Sequence, residues 1–205
     1  MENIVVRIER EEDFKQVELI TRQAFSYPGR VEKGGIGCPF EHWMVHKLRK
    51  RDGIQELSFV AEYNGKIVGH IIGSKACIEL PKNSSIKVLN FGPLSVLPEY
   101  QRKGVGKALL NTFIDRAREM DYGAIMFFGR PEYYPQFGFV EASDYGVTDC
   151  FGHNYPAFMA MELKSNYLNG ASGGKFYESD IFNEQLHCNE VKEFDRYFLK
   201  GINSV

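Results

Sequence analysis

Apolar residues recur along this chain in two rhythms, one near two residues and one near three and a half. "IVVRI", Ile4 to Ile8, is a short strand-like run, and Phe14, Val17, Ile20 and Ala24 follow it at helical spacing. Pro39 suits the first turn of a second helix that places Phe40, Trp43, Met44 and Leu48 on one side. "LSFVAEY" and "KIVGHIIGSKACIEL" read as strands joined by Asn64-Gly65, a pair that supplies the positive φ angles of a tight hairpin. One further strand is predicted over Ile86–Leu97. From Gly104 to Asp121, a stripe of Val105, Ala108, Leu109, Phe113, Ala117 and Met120 stands opposite Lys107, Asn111, Arg118 and Glu119, which predicts a helix. "GAIMFFG" is almost wholly apolar, as a strand covered on both faces must be. "FVEAS" and "PAFMAMEL" are two more strand candidates. The order β-α-α-β-β-β-α-β-β-β predicts a mixed α/β domain. Its hairpins imply antiparallel pairing, and the helix from Gly104 implies one parallel crossover.

Loop chemistry marks the boundaries. Ser26–Pro39 holds four glycines and two prolines, which predicts a mobile loop that either is ordinary surface or forms a flap over a binding site. The domain is expected to run from residue 1 to 163. "KSNYLNGASGGK" then reads as a linker that opens an extension, residues 164–205. In it, Val191, Phe194 and Phe198 mark one face of a closing helix that packs on its own domain or, in a homodimer, on a second subunit.

Composition narrows the classes. The chain has 205 residues, 43% hydrophobic and 25% charged, enough for a packed core. A formal net charge of −2 gives no overall field to draw nucleic acid or an anionic membrane, so any anion site must be local. No apolar run reaches membrane-spanning length, and the first residues lack the pattern of a signal peptide. The four cysteines, Cys38, Cys77, Cys150 and Cys188, form no C-x-x-C pair, which fits reduced thiols in a cytoplasmic protein. Cys150-x-x-His153 and His187-Cys188 do not make the two spaced pairs of a zinc site, so no metal is expected.

The candidate chemistry lies in "VLPEYQRKGVGKALL". Gly104 and Gly106 stand behind Gln101, Arg102 and Lys103 at the start of the predicted helix, with Lys107 one residue on. Unpaired N–H groups and a partial positive charge at a helix start bind phosphate, and glycine lets the backbone come close. Read from the residues alone, this is a phosphate or pyrophosphate site or a plain strand-to-helix turn. The glycines fit neither G-x-x-x-x-G-K-[ST] nor G-x-G-x-x-G, which counts against a nucleotide-binding regulatory domain.

The stretch resembles the coenzyme A motif [QR]-x-x-G-x-[GA] of the GNAT superfamily of acyl-CoA-dependent N-acyltransferases, here Gln101, Gly104 and Gly106. "EYYPQFGF", Glu132 to Phe139, resembles the superfamily's Tyr-x-x-x-Gly-Phe signature, in the branch that carries Tyr-Tyr-Pro-x-Phe-Gly-Phe. The resemblance spans roughly residues 4–163. It implies a mostly antiparallel GNAT-like sheet flanked by helices, with two splayed parallel strands, Ile86–Leu97 and Gly123–Phe128, around acetyl-CoA as co-substrate. The backbone of Leu94, Ser95 and Val96 would pair with the pantetheine arm, and the amides of Arg102, Lys103, Gly104, Val105, Gly106 and Lys107 would hold the pyrophosphate. The implied activity is acetyl transfer to a primary amine of a small molecule or a protein, without a metal. The alternative is a non-catalytic acyl-CoA-binding or sensing module on the same fold.

The acceptor must attack as a neutral amine. Deprotonating a lysine-like amine at pH 7 costs about 4–5 kcal/mol, whereas an α-amino group costs about 1. No base stands out: Glu62 and His70 are the strand residues on the expected acceptor side, and each is more in keeping with a structural role. Tyr134 stands where the family's tyrosine stands and would protonate the departing thiolate. Passing a proton from a phenol near 10 to a thiolate near 8.5 is uphill by roughly 2 kcal/mol, which calls for a strong hydrogen bond or a lowered pKa.

Overall fold

The computed structural model describes residues 3–27, 39–81 and 83–202. Most of the expected Ser26–Pro39 loop lies outside the described residues. The elements are β1 (Ile4–Ile8), α1 (Phe14–Phe25), α2 (Pro39–Lys50), β2 (Gly53–Tyr63), β3 (Lys66–Leu80), β4 (Ser84–Phe91), β5 (Ser95–Val96), α3 (Val105–Glu119), β6 (Ala124–Phe128), β7 (Val140–Glu141), β8 (Phe158–Glu162), β9 (Lys175–Tyr177) and α4 (Glu184–Ile202). The pairs β1–β2, β3–β4, β3–β5, β3–β9, β6–β8 and β7–β8 are antiparallel, and β4–β6 is parallel through Leu89 and Ile125. The fold is therefore mixed α/β with mostly antiparallel pairing. Among the described residues, no helix is long and apolar enough to cross a membrane.

The chain divides into two compact units, with β3 and α3 running from one into the other. The first takes in the described parts of Met1–Ile72, Gly92–Leu110 and Asp180–Val205. There β1 pairs with β2 from Ile4↔Tyr63 to Ile8↔Phe59. Helix α2 has proline at its first position, where the missing N–H costs nothing, and Lys47, Arg49 and Lys50 in its last turn, where the dipole favours cations. Its face of Phe40, Trp43, Met44 and Leu48 is buried with Ile72, Ile181 and Val191, and Phe182 and Phe194 pack against the cluster. Helix α4 closes this face: Phe194 and Phe198 lie 4.9 and 4.8 Å from the His42 ring, and Arg22 holds Asp195 at 2.7 Å.

The second unit takes in Gly73–Phe91 and Asn111–Ser179. Its core joins Ile78, Val88, Ala124, Met126, Phe158, Ala160 and Phe176. Strand β9 falls within the extension, where the pattern predicts only a helix. It pairs Tyr177, Phe176 and Lys175 with Cys77, Ile78 and Glu79 of β3.

Two expected strands are shorter than the apolar runs suggest. Ile86–Leu97 is not continuous: β4 stops at Phe91 and β5 resumes at Ser95, with a cis Gly92-Pro93 bond between them. Gly92 N still donates to Ile72 O at 3.0 Å, yet Ser95 already faces His70. Two residues, Pro93 and Leu94, thus stand opposite one, Ile71, which is the count of a β-bulge. "FVEAS" gives only Val140–Glu141, because Ala142–Tyr145 turns into a 3-10 helix.

Candidate active site

In the first unit, α3 begins at a sharp turn. Arg102 (φ 57°) and Gly104 (φ 91°) take left-handed backbone conformations. A Cβ on Gly104 would meet nothing within 4 Å, so glycine serves the dihedral angle there and not the space. The first helical bond runs from Ala108 N to Gly104 O at 2.9 Å. The N–H groups of Val105, Gly106 and Lys107 therefore have no acceptor in a preceding turn. Gln101, Arg102, Lys103, Gly104 and Lys107 are exposed, while Val105 is buried and anchors the helix. Gln101 also braces the turn on β5, where its Nε2 donates to Val96 O at 3.1 Å.

The bulge sets which β5 groups face outward. Leu97 N donates to Val68 O at 2.9 Å, and the register pairs Ser95 with His70 and Val96 with Gly69. Antiparallel alternation then commits the backbone groups of Ser95 to β3 and turns those of Val96 away from it. The Gln101 bond to Val96 O fits that direction. Below the sheet, Ser95 Oγ donates to Thr21 Oγ1 at 3.0 Å.

In the second unit, Tyr134 opens a 3-10 turn, Tyr134–Phe137, whose proline suits its first residues and whose end is Gly138 at φ 95°. The Tyr134 ring stands edge-on to Phe127 at 4.5 Å and lies 5.9 Å from both Phe91 and Phe139. Its hydroxyl has no hydrogen-bond partner among the described residues. Burial raises this phenol well above the usual value, and nearby Tyr133 adds to the effect. Of the two expected routes, a strong hydrogen bond or a lowered pKa, the second does not fit, because apolar rings surround the tyrosine and favour the neutral form. Tyr133 packs edge-on to Tyr134 at 5.1 Å and lies 5.3 Å from Phe137.

The two base candidates are tied into ion pairs and hydrogen bonds. Glu62 pairs with Arg7 at 2.5 Å. His70 is fully buried, with Nε2 3.1 Å from Ser58 Oγ and 3.4 Å from Glu9 Oε1. Arg49 closes on Glu9 at 2.5 Å and on Glu18 at 2.8 Å. Burial alone would push Glu9 up, yet His70 and Arg49 outweigh it and hold the carboxyl down at about 2. Cys150 and His153 lie on a loop closed by Asp149, and His187 packs on Trp43 at 4.7 Å. Among the described residues, no group of three or more His, Cys, Asp or Glu is placed to hold a metal ion.

One acid stands outside every sequence motif. Glu178, directly after β9, accepts a 2.5 Å hydrogen bond from Asn90 Nδ2 of β4. Burial pushes its carboxyl up to about 7, against the lowering effect of that bond.

An antiparallel-rich α/β fold with a glycine turn at a helix start and a tyrosine in a Gly-Phe turn defines an acyltransferase-like class. Residues 23–139 match the acetyltransferase (GNAT) family, and the chain belongs to that family. It is 40% identical over 110 residues to YjhQ, an uncharacterized N-acetyltransferase of Escherichia coli K12, across 53% of this chain and 60% of that protein. It is 24% identical over 171 residues to YhbS, another uncharacterized N-acetyltransferase of that strain, across 83% of this chain and 93% of the relative. The crystal structure of YhbS in complex with CoA shares the fold with a TM-score of 0.74 at 22% identity, covering 88% of this chain and 92% of that one. A GNAT family acetyltransferase from Brucella melitensis in complex with acetyl-CoA gives 0.66 at 22% identity, covering 89% and 100%.

Proposed function

We propose that this chain is an N-acetyltransferase that moves the acetyl group of acetyl-CoA to a primary amine by direct attack. The observation that carries the reading is Tyr134, packed against four aromatic rings with its hydroxyl unpartnered among the described residues, in a chain of the GNAT family. The amides of Arg102 to Lys107 hold the pyrophosphate, with the charges of Arg102, Lys103 and Lys107 beside them. The backbone around Val96, with Leu94 and Ser95 beside it, serves the pantetheine arm as a strand edge. CoA and acetyl-CoA in the two crystallised neighbours support this choice of co-substrate.

Tyr134 is the acid of this mechanism. Its raised pKa keeps it protonated at every working pH, so the donor is always present. Full transfer to a free thiolate is uphill by more than about 2 kcal/mol. The phenol therefore acts through a hydrogen bond that strengthens as charge gathers on sulfur.

The test joins binding and turnover. Acetyl-CoA binding is measured by titration calorimetry, and thiol release is followed with a panel of small amines, polyamines, amino acids and peptides. Binding together with amine-dependent thiol release is the expected result. Tight binding with no turnover on any amine would favour a binding or sensing module.

A further inference from the structure

Glu178 sits on a polar spot within an apolar face of the second unit. The β3–β9 register pairs Ile78 with Phe176 and Cys77 with Tyr177, and one more step sets Glu178 opposite Ala76. The β3–β4 register pairs Ala76 with Val88 and Ser74 with Asn90. Opposed residues and those two apart share a face. Ser74, Ala76, Asn90 and Glu178 therefore stand together, and Asn90 reaches across small side chains to the carboxylate. Around them the cluster is built from Ile78, Val88, Met126, Phe158 and Phe176. Tyr145 and Tyr167 pack their phenol rings against the cluster, and Glu162 and Asp144 lie close enough to Tyr145 to raise its pKa.

Two features of this spot call for a ligand. Ser74 is fully buried, and its Oγ has no hydrogen-bond partner among the described residues. Among the described residues, Glu178 accepts a hydrogen bond from Asn90 and has no cation within ion-pair distance. A buried donor-acceptor without a mate and a carboxylate without a counter-charge are both costly. A primary ammonium, with three N–H donors, satisfies both. An aromatic wall is close: Phe128, 43% exposed, lies 6.3 Å from Phe176, two residues before Glu178. Asn90 directly precedes Phe91, whose ring touches the Tyr134 cage, so the acid and the tyrosine lie to either side of one strand.

We infer that Glu178, held by Asn90 and accompanied by Ser74, binds the ammonium group of the acceptor and removes the proton that the amine must lose before it attacks. This rests on the N-acetyltransferase reading above and adds the missing base to it. The protons balance. As the N–C bond forms and the C–S bond breaks, one ammonium proton goes to Glu178, a second leaves the nitrogen as the intermediate collapses and ends on the CoA sulfur that Tyr134 holds by its hydrogen bond, and the third stays on the amide nitrogen. A carboxyl near 7 is half deprotonated at neutral pH and is well matched to that role.

The test uses two probe amines and the full chain. n-Butylamine is a cation at neutral pH, like a lysine side chain with pKa about 10.4. O-Methylhydroxylamine is already neutral there and needs no base to start. Wild type, Glu178→Gln and Asn90→Ala are first compared in acetyl-CoA binding, where no difference is expected. Thiol release is then followed with each amine across pH. Glu178→Gln should lose about 10²-fold or more in kcat/KM with n-butylamine and little with O-methylhydroxylamine. The wild-type n-butylamine rate should rise through an inflection near pH 7 that Glu178→Gln lacks. Asn90→Ala should shift that inflection upward, because a bond that favours the carboxylate is gone. Equal losses with both amines, or an unchanged n-butylamine rate, overturn the assignment. A wild type that binds acetyl-CoA but acetylates neither amine overturns it as well and leaves the cofactor reading standing. Failure to bind acetyl-CoA overturns the transferase reading and this inference with it.

Discussion

At Gly129 a single added methyl group would decide whether Tyr134 keeps its place. A Cβ there would stand 2.4 Å from Tyr134 Cε2 and 2.4 Å from Phe127 Cε2, closer than any real contact. Gly129→Ala must therefore push the phenol out of its cage. The expected result is a fall in kcat that approaches that of Tyr134→Phe, about 10²–10³-fold, with acetyl-CoA Kd little changed. Tyr133→Phe, which keeps the ring that packs edge-on to Tyr134 at 5.1 Å, should be nearly silent in the same assays. The position of Tyr134 was legible in the sequence from its distance to Gly138. Its raised pKa was not, because Phe91, Phe127 and Phe139 come to it from three other places in the chain. Glu178 was half legible. In "KFYE", period-two alternation that buries Phe176 also turns Glu178 inward, but a three-residue strand carries too little pattern to announce itself.

Among the elements, the start of α3 shows how far a local pattern reaches. Helix period and glycine spacing were enough to place it, since both are properties of neighbouring residues. The close seat of its first turn was hidden. A Cβ on Gly69 of β3 would stand 2.9 Å from Val105 Cγ1 and 3.0 Å from Leu109 Cδ1, so the helix lies on β3 only because residue 69 is glycine. Gly106→Val should obstruct an anion at the amides of that turn while Val105 and Leu109 keep the helix seated. Calorimetry should show acetyl-CoA affinity reduced at least about tenfold in a protein of unchanged far-ultraviolet circular dichroism. The break between β4 and β5 was illegible for the opposite reason. Ile86–Leu97 is apolar nearly throughout, and hydrophobicity alone does not register that Pro93 has no N–H to give to a ladder.

Across the whole molecule, the buried Glu9 and the partly buried Glu178 pull stability in opposite directions with pH. Glu9 is held at about 2, below its unfolded value, so its contribution is fully present above about pH 4.5 and is lost as pH falls toward 2. Glu9→Gln removes one of the two carboxylates that Arg49 holds, leaving Glu18 at 2.8 Å, and should cost about 1–3 kcal/mol at neutral pH by urea denaturation. The cost should shrink as the medium becomes acidic. Glu178 behaves in reverse. Its folded value near 7 lies above the unfolded one, so ionisation penalises the fold increasingly from pH 4.5 to 7. Glu178→Gln should therefore raise the melting temperature at pH 8 and leave it unchanged near pH 4. A variant that gains stability where it loses turnover is the mark of a strained functional group.

The cover that α4 gives to α2 also sets a clock on synthesis. From Lys50, the end of α2, to Glu184, the start of α4, the ribosome must add about 134 residues. At 5–20 residues per second this takes about 7–27 s. Throughout that interval the face of Phe40, Trp43, Met44 and Leu48 is without Val191 and Phe194, the residues that cover it in the finished chain. A nascent chain in this state is a client for holding chaperones. A chain that ends before Glu184 would keep this face uncovered, and light scattering should show it aggregating where the full chain does not.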